Sequence, residues 1–331
     1  MFLPEMSTPT IVVIVLATIH GFLTGLNDNA NVVATIISSR ALSARRALFL
    51  SAVTQLVAPF LFGVAIASTI GQQVVDVSEV TTTVLQSALL SAIVWTLAAG
   101  LLGIPSSSSH AVLGGLMGAA VVEAGWEVLL VRGLAKVLGT LLLAPMLGIV
   151  AGFLLMQLVL YLVRGASPRV AWLFHEGQVL TTAWLSLAHG TNNAQRTMGL
   201  IALALVVGGA IPSFQVPFWV VALSAASMAA GASIGGWRTI RTLGGKFYRI
   251  RPLHALVTQL ASATVLTIAT LLGGPVSTTQ VVSSAIVGVG SKERASQVRW
   301  RLAAQVARAW LLTMPATALL GALLHVLFTL S

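Results

Sequence analysis

Long apolar runs, separated by short polar segments, extend along the whole chain. The clearest runs are Ile11–Leu26, Ala47–Ile70, Thr83–Leu102, Val128–Val163, Val216–Ile234, Leu253–Leu272 and Trp310–Leu330. A helix needs about 20 apolar residues to cross the hydrocarbon core of a bilayer. The pattern therefore predicts an all-α polytopic membrane protein with about 10–12 membrane segments.

The first apolar run is interrupted by a polar stretch at residues 25–31, which contains Asp28. A carboxylate inside a bilayer costs at least a few kcal/mol, so such residues usually belong to a functional site. Of the acidic residues, Asp28 alone lies deep in a predicted membrane segment. Asn and Gly weaken helices, so the stretch predicts a broken membrane helix that carries a solute or ion site.

Two proline-led polar segments each precede an apolar run that is short for a membrane span. Pro105 is followed by four serines, and the next run, Ala111–Val122, would form a helix of roughly 18 Å. A re-entrant helical hairpin at 104–122, with its tip buried in protein, fits this length better than two spans. Pro275 opens a similar segment in the second half, which predicts a second hairpin at 274–290.

The two halves of the chain share these polar landmarks. Gly25-x-Asn27-Asp28 aligns with Gly190-x-Asn192-Asn193 at a shift of 165 residues, and Leu101–Ser107 aligns with Leu271–Ser277 at a shift of 170. Paired polar breaks indicate a midplane binding site between two repeats. We therefore predict two inverted-topology repeats with broken helices and re-entrant hairpins. The parts are a first repeat at 1–163, a linker at 164–177, and a second repeat at 178–331 with a broken helix at 189–196.

The charge of the chain is low in amount and uneven in position. Only 8% of the residues are charged, whereas a soluble domain is about a quarter charged. The net charge of +10 comes mostly from Lys and Arg clusters between apolar runs, which indicates cytoplasmic loops rather than nucleic-acid binding. We expect a multi-pass protein of the cell (inner) membrane, embedded in the lipid bilayer, with loops 40–46 and 238–251 cytoplasmic. The chain has no cysteine, which excludes disulfides and thiol chemistry.

Hydroxyls, amides and one carboxylate are the groups that the interior offers for binding. A tetrahedral oxyanion needs several donors, which hydroxyls, amides and helix N-termini provide. The predicted substrate-binding residues are Asp28, Ser107, Ser108, Ser109, Asn192, Asn193, Ser277, Thr278 and Thr279. The predicted cation-binding residues are Asn27, Asp28, Asn31, Asn192, Ser109 and Thr279, with Na⁺ at Asp28 and Asn31.

Asp28 repels any oxyanion that binds beside it. Two unit charges about 4 Å apart repel by roughly 4 kcal/mol at an effective dielectric constant near 20. A cation or a proton must therefore lie between the carboxylate and the anion, so that each stabilises the binding of the other. This requirement predicts a symporter that works by alternating access, with co-transported Na⁺ or H⁺ and no other cofactor.

With these segments in view, the chain resembles the inorganic phosphate transporter (PiT) family. Gly25–Asn31, followed by Ala41-Leu42-Ser43, is similar to the first-half signature of that family, and His189–Gln195 is similar to its second-half signature. Pro105–His110 and Pro275–Thr279 are similar to its two hairpin tips. The resemblance implies sodium- or proton-coupled uptake of inorganic phosphate by two inverted repeats, and a homodimer.

Four positions depart from the residues that are usual in that family. Asn193 stands in place of Asp, Gln280 in place of His, and Gln55 and Gln259 in place of Glu. Each difference removes a charge or a titratable group from the predicted interior. We therefore expect fewer coupled cations than in a relative with two Asp residues, and we expect Gln55 and Gln259 to be packed polar residues.

Other functions remain open at this stage. A permease for sulfate or another oxyanion would have the same fold, and an anion channel would use the same hairpins and serines. An intramembrane hydrolase is suggested only by Ser107 and His110, with no acid to orient the histidine, so we do not expect an enzyme. We assign Arg196 to the membrane interface, which its long side chain can reach.

Overall fold

The computed structural model describes residues 6–167, 170–245 and 250–330. Its helices pack side by side, and β structure in this part of the chain is limited to one isolated bridge, between Val75 and Leu129. The α-helices, in chain order, are α1 (Thr8–Ser38), α2 (Ala44–Val57), α3 (Ala65–Gln72), α4 (Thr82–Leu102), α5 (Ser108–Ala124), α6 (Val131–Leu162), α7 (Ala171–Val207), α8 (Phe218–Ile234), α9 (Trp237–Gly245), α10 (Pro252–Leu271), α11 (Thr278–Arg294) and α12 (Trp300–Leu330).

Helices α1 and α7 are continuous through their polar stretches, so the breaks predicted at 25–31 and 189–196 are wrong. Two of the Asn side chains in α1, Asn27 and Asn29, do not compete with the helix backbone, because carbonyls of neighbouring helices accept from their amides. Asn29 Nδ2, for example, donates to the backbone oxygen of Ala232 on α8 at 2.8 Å. Helix α7 also begins at Ala171, inside the predicted linker at 164–177.

The helix breaks lie instead in two other helix pairs, one in each half. The segments Ala44–Phe60 and Ala65–Gln72 meet at 73°, and Phe218–Ile234 and Trp237–Gly244 meet at 69°. The second bend contains Gly235 with a φ of +76°, a conformation in which glycine has no steric penalty. Helix α9 therefore occupies part of the predicted loop at 238–251.

Length and composition identify the helices that can cross a bilayer. Five qualify among the described residues: α1, α4, α6, α10 and α12; each bent pair, if counted as one span, raises the number to seven. Helices α5 and α11, with 17 residues each, are shorter than these spans. The predicted total of about 10–12 membrane segments is reached only when hairpin arms and the parts of bent pairs are counted separately.

Two helical hairpins, α4–α5 and α10–α11, enter the bundle from opposite ends. At the base of the first, Gln86 on α4 donates to the carbonyl of Pro9, at the start of α1. Near the base of the second, Gln259 on α10 donates to Thr35 Oγ1, close to the end of α1. The two tips meet inside the bundle, where Ser109 Oγ donates to the carbonyl oxygen of Val276 at 3.4 Å.

The second arm of each hairpin packs on a helix of the other half. Helix α5 packs on α12 and α11 packs on α6, through glycines at equivalent positions, Gly118 and Gly288. Helices α1 and α7 run antiparallel. Gly208, just after α7, lies against Thr10, while at the other end Ser39 Oγ donates to Gln178 Oε1. Two inverted repeats would make reciprocal contacts of this kind, and the internal symmetry itself stays a prediction.

Candidate functional site

Asp28 lies in the middle of α1, where the tip of the α4–α5 hairpin reaches it. The side chain is 7% exposed, and its Oδ2 accepts a hydrogen bond of 2.5 Å from Ser108 Oγ. Ser108 is the first residue of α5, so the hairpin turn after Pro105 determines where this hydroxyl lies. Asp28 is also the only buried Asp or Glu among the residues that the structure describes.

Arg196 belongs to the same cluster, although we assigned it to the membrane interface. It is 3% exposed, and its Nη1 donates to Ser109 Oγ and, at 3.4 Å, to Ser108 Oγ. The Ser108 hydroxyl thus contacts both the carboxylate of Asp28 and the guanidinium of Arg196. The shift of 165 residues pairs Arg196 with Asn31, and this pairing was the signal that could have identified it.

Asn31 joins α1 to the second hairpin. Its Nδ2 donates to Thr279 Oγ1 at 2.9 Å and to the backbone oxygen of Asp28 at 2.8 Å. Its Oδ1 is buried and has no hydrogen-bond partner within the described part of the chain. Because Ser109 contacts Val276 in the other tip, the groups around Asp28 and around Thr279 form one continuous site.

A second polar group extends the site along α7. Thr278 Oγ1 lies 3.0 Å from His189 Nδ1, and Asn193 Nδ2 lies 3.1 Å from the same ring nitrogen. Asn193 is 2% exposed, and its Oδ1 has no hydrogen-bond partner among the described residues. Asn193 therefore connects to the second tip through His189.

Ser107 and Ser277 act as helix N-caps at the two tips. Ser107 Oγ accepts from the backbone N–H of His110 at 3.3 Å, and Ser277 Oγ accepts from that of Gln280 at 3.4 Å. Their hydroxyl oxygens are thus already engaged, while the first N–H groups of each helix have no acceptor within the helix. The tips present backbone N–H groups and the positive ends of two helix dipoles to the site.

Asn27 and Asn192 anchor α1 and α7 to the first arms of the hairpins. Asn27 Nδ2 donates to the carbonyl oxygen of Thr96 on α4 at 3.1 Å, and Asn192 Nδ2 donates to Thr270 Oγ1 on α10 at 3.4 Å. Neither amide donates to the hydroxyls of the tips. The structure thus brings Asp28, Asn31 and the tip hydroxyls together, and places these two Asn amides at the edge of the site.

The glutamines at the unusual positions are packed polar residues. Gln55 Nε2 donates to Asn29 Oδ1 at 2.8 Å, and Gln259 Nε2 donates to Thr35 Oγ1 at 2.9 Å. Both side chains are fully buried, and both bind residues of α1 other than Asp28. Gln280 follows the second tip at 5% exposure, and its Oε1 has no partner in the described part of the chain.

A small cavity of about 20 Å³ lies beside Asp28. Its walls come from α1, α4, the first tip, α9 and Thr279 of the second tip. The lining residues are Asn27, Asp28, Asn31, Thr96, Ala99, Gly100, Ile104, Pro105, Ser106, Ser108, Thr239 and Thr279. A carboxylate, amide oxygens and hydroxyls thus face one space, and this donor set suits a hard cation, while the N–H and O–H groups suit an oxyanion.

Comparison with known proteins identifies relatives along nearly the whole chain. A protein of Rhizobium meliloti (strain 1021) named "Probable low-affinity inorganic phosphate transporter" is 41% identical over 94% of both chains. A protein of Bacillus subtilis (strain 168) with the same name is 38% identical over 96% of both chains. A solved structure titled "The sodium-dependent phosphate transporter" has the same fold, with a TM-score of 0.90 and 23% identity over 98% of this chain and 100% of that one.

The family described as "Phosphate transporter family" matches residues 24–321 of the chain. This range contains Asp28, both hairpins and the second polar cluster on α7. The family and its relatives are transporters and not enzymes, and the apolar helices are those of an integral membrane protein. The chain belongs to the phosphate transporter family.

Proposed function

We propose that this protein is a symporter that takes up inorganic phosphate together with Na⁺ or H⁺ by alternating access. The observation that carries the proposal is the contact between Asp28, a buried carboxylate, and Ser108 at a hydroxyl-rich helix tip. A carboxylate in this position attracts a cation, and the tip groups around it bind an anion. The relatives are named as inorganic phosphate transporters, so we assign inorganic phosphate as the anion.

The phosphate is bound between the two tips. Its oxygens accept hydrogen bonds from the hydroxyls of Ser108, Ser109, Thr278 and Thr279 and from the first backbone N–H groups of α5 and α11. The two helix dipoles add positive potential at this point, which favours an anion at low cost to the protein. Asn193 contributes from α7, and Ser107 and Ser277 hold the tips in shape as N-caps.

The cation is bound at Asp28 and Asn31. The Oδ1 of Asn31 is buried and aimed at no donor in the described part of the chain, as expected of an oxygen that awaits a cation. Thr279 Oγ1, which contacts Asn31, lies where it can contact both ions. Because the cation neutralises Asp28 next to the phosphate, each ion raises the affinity for the other, and that linkage is the coupling.

The hairpins supply the two gates. One enters from each end of the bundle, so movement of one tip away from the other opens the site to one side only. Helices α9 and α3, the short members of the bent pairs, lie close to the tips. Thr242 on α9 donates to Gly103 O, and Thr69 on α3 donates to Gly273 O. These contacts would break and reform as access alternates.

Uptake of radiolabelled phosphate into proteoliposomes tests the proposal. The Na⁺ gradient and the pH gradient are varied separately, and sulfate is added as a competitor. We expect one of the two gradients to drive accumulation of phosphate, with sulfate a weak competitor. Preference for sulfate would indicate an oxyanion permease of another specificity, and a passive ohmic current without accumulation would indicate an anion channel.

Asp28→Asn is the decisive variant, and Asp76→Asn is its matched control. Asp76 is a carboxylate in the connection between α3 and α4, where it caps a short 3₁₀ turn through Ser78. We expect the Asp28 variant to lose gradient-driven uptake and the Asp76 variant to retain it. Equal uptake by the two variants would contradict the role of Asp28 in coupling.

A further inference from the structure

Arg196 introduces a permanent positive charge into a site that has one buried carboxylate. Among the residues that the structure describes, it is the only Lys or Arg that is buried. Its guanidinium reaches across from α7 to Ser108 and Ser109 in the tip of the other half. We propose that Arg196 is a tethered cation, which binds the transported phosphate directly and replaces the mobile cation that the second half would otherwise need.

The repeat places Arg196 where a cation ligand stands in the first half. The shift of 165 residues pairs Asn31 with Arg196, and the shift of 170 pairs Thr279 with Ser109. The structure contains both contacts of this set: Asn31 donates to Thr279, and Arg196 donates to Ser109. The two side chains thus make the same contact, each from its own half to the tip of the other.

The two equivalent residues differ in what they can bind. Asn31 has an amide oxygen that can ligate a cation, whereas a guanidinium has five N–H donors and no acceptor. Arg196 therefore cannot hold Na⁺, but it can present parallel N–H groups to the oxygens of a phosphate. The second half thus has the fixed positive charge of Arg196 at the position where the first half has a ligand for a mobile cation.

The neighbouring position supports the same conclusion. The residue equivalent to Asp28 in the second half is Asn193, which is uncharged and 2% exposed. A carboxylate at Asn193 would need a counterion, and with Arg196 nearby it would form an ion pair that competes with the phosphate. Asn193 and Arg196 together carry a net positive charge, whereas the equivalent pair in the first half, Asp28 and Asn31, carries a net negative charge.

The guanidinium of Arg196 is not neutralised by a direct partner. The ion pairs found among the described residues do not include it, and its buried Nε has no hydrogen-bond partner among them. The Ser108 hydroxyl stands between Arg196 and Asp28. A buried charge without a direct counterion is costly, so the site favours an anion that contacts Arg196.

Equilibrium binding of radiolabelled phosphate to the purified protein tests this inference, which rests on the proposed function. The variants are Arg196→Gln and Arg196→Lys, with Arg132→Gln, at an exposed arginine at the start of α6, as the matched control. We expect Arg196→Gln to weaken phosphate binding by about 10- to 100-fold, Arg196→Lys by much less, and Arg132→Gln not at all. Wild-type affinity in Arg196→Gln would overturn the inference, and so would a failure of Arg196→Lys to fold, because Arg196 would then be a packing residue.

A double variant tests the replacement of an ion directly. Asn193→Asp with Arg196→Asn reproduces in the second half the Asp28 and Asn31 of the first. We expect this variant to bind phosphate with a steeper dependence on the cation, with the Hill coefficient rising from about 1 to about 2. An unchanged cation dependence would overturn the inference. A wild-type protein that neither binds nor transports phosphate would instead refute the proposed function itself.

Discussion

Polar side chains inside the bundle fall into two groups that differ in the residues they contact. Asn29, Ser51 and Gln55 bind one another, with the Asn29 Oδ1 accepting from both Ser51 Oγ and Gln55 Nε2. Asn31 and Arg196 instead donate to the two hairpin tips, at Thr279 and at Ser109. We interpret the first group as helix packing, and we propose the second as ligand binding.

Ser108→Ala tests the second group, because the Ser108 hydroxyl contacts both Asp28 and Arg196. A hydrogen bond to a charged group contributes roughly 1.5–3 kcal/mol, so we expect phosphate affinity to fall about 10-fold or more. The measurement is equilibrium phosphate binding, with Ser233→Ala, an exposed serine on α8, as the control. Unchanged affinity in Ser108→Ala would show that this hydroxyl does not face the ligand.

Asn29→Ala tests the first group. The change leaves Ser51 and Gln55 without their common acceptor, which should destabilise the fold by about 1–3 kcal/mol. We expect a lower melting temperature in detergent, while phosphate uptake per folded molecule stays at the wild-type level. Loss of uptake at wild-type stability would place Asn29 in the transport site instead.

The sequence contains strong local signals for Asp28 and the hairpin tips. A carboxylate within an apolar run and prolines before serine clusters are informative without any knowledge of packing. Arg196 is different, because an arginine in a membrane helix can reach the interface or turn inward, and only the neighbouring helices decide which. The equivalence of Arg196 to Asn31 in the repeat indicates that its side chain faces inward. Considered alone, an arginine in a membrane helix is expected to reach the interface.

At the scale of helices, close approach depends on glycine at reciprocal positions. Gly25 on α1 lies against the carbonyl of Met228 on α8, and Gly231 on α8 lies against the carbonyl of Phe22 on α1. A side chain at either position would collide with backbone of the partner helix. This contact also explains why α1 stays helical at the predicted break, because α8 packs directly on Gly25, where the polar stretch begins.

Gly231→Ala should therefore destabilise the protein by about 1–3 kcal/mol, the usual cost of overpacking. The matched control is Gly139→Ala on α6, where an added methyl group would meet nothing within 4 Å. We expect the control to be neutral or up to about 1 kcal/mol more stable, because alanine favours helix over glycine. Thermal melting in detergent distinguishes the two, and equal melting temperatures would contradict the close contact.

Helix breaks were harder to predict than hairpins. Low helix propensity in Gly25–Asn31 was outweighed by tertiary hydrogen bonds, since propensity is a weak influence compared with packing. The bends between α2 and α3 and between α8 and α9 have weaker signals, namely Pro59 with Gly63 and the pair Gly235-Gly236. The hairpins were predictable because their apolar runs are too short to cross a bilayer.

At the scale of the whole molecule, charge is distributed unequally between the two ends of the bundle. A polar space at one end is lined by Arg40, Arg251 and Arg299, together with the end of α1. The connection between α3 and α4 carries Asp76 and Glu79 and no Lys or Arg. This asymmetry is typical of membrane proteins whose basic end is cytoplasmic.

The chain has no cysteine, so single cysteines can report on this orientation. We expect Ser78→Cys to react with a membrane-impermeant thiol reagent in intact cells, and Arg45→Cys to react only after the cells are permeabilised. Both positions are exposed, one at the start of α2 and the other shortly after the end of α3. The reverse labelling pattern would show that the basic end faces outward.

The linkage between anion and cation is the property on which the proposed transport mechanism depends. Phosphate affinity is measured on the purified wild-type protein and on Asp28→Asn, across a series of Na⁺ concentrations and pH values. We expect wild-type phosphate affinity to rise at least tenfold with one of the two cations, and we expect this dependence to disappear in Asp28→Asn. The proposal is that Asp28 and the two hairpin tips hold a cation and phosphate together. A phosphate affinity that changes with neither cation, or a cation dependence that is unchanged in Asp28→Asn, would contradict it.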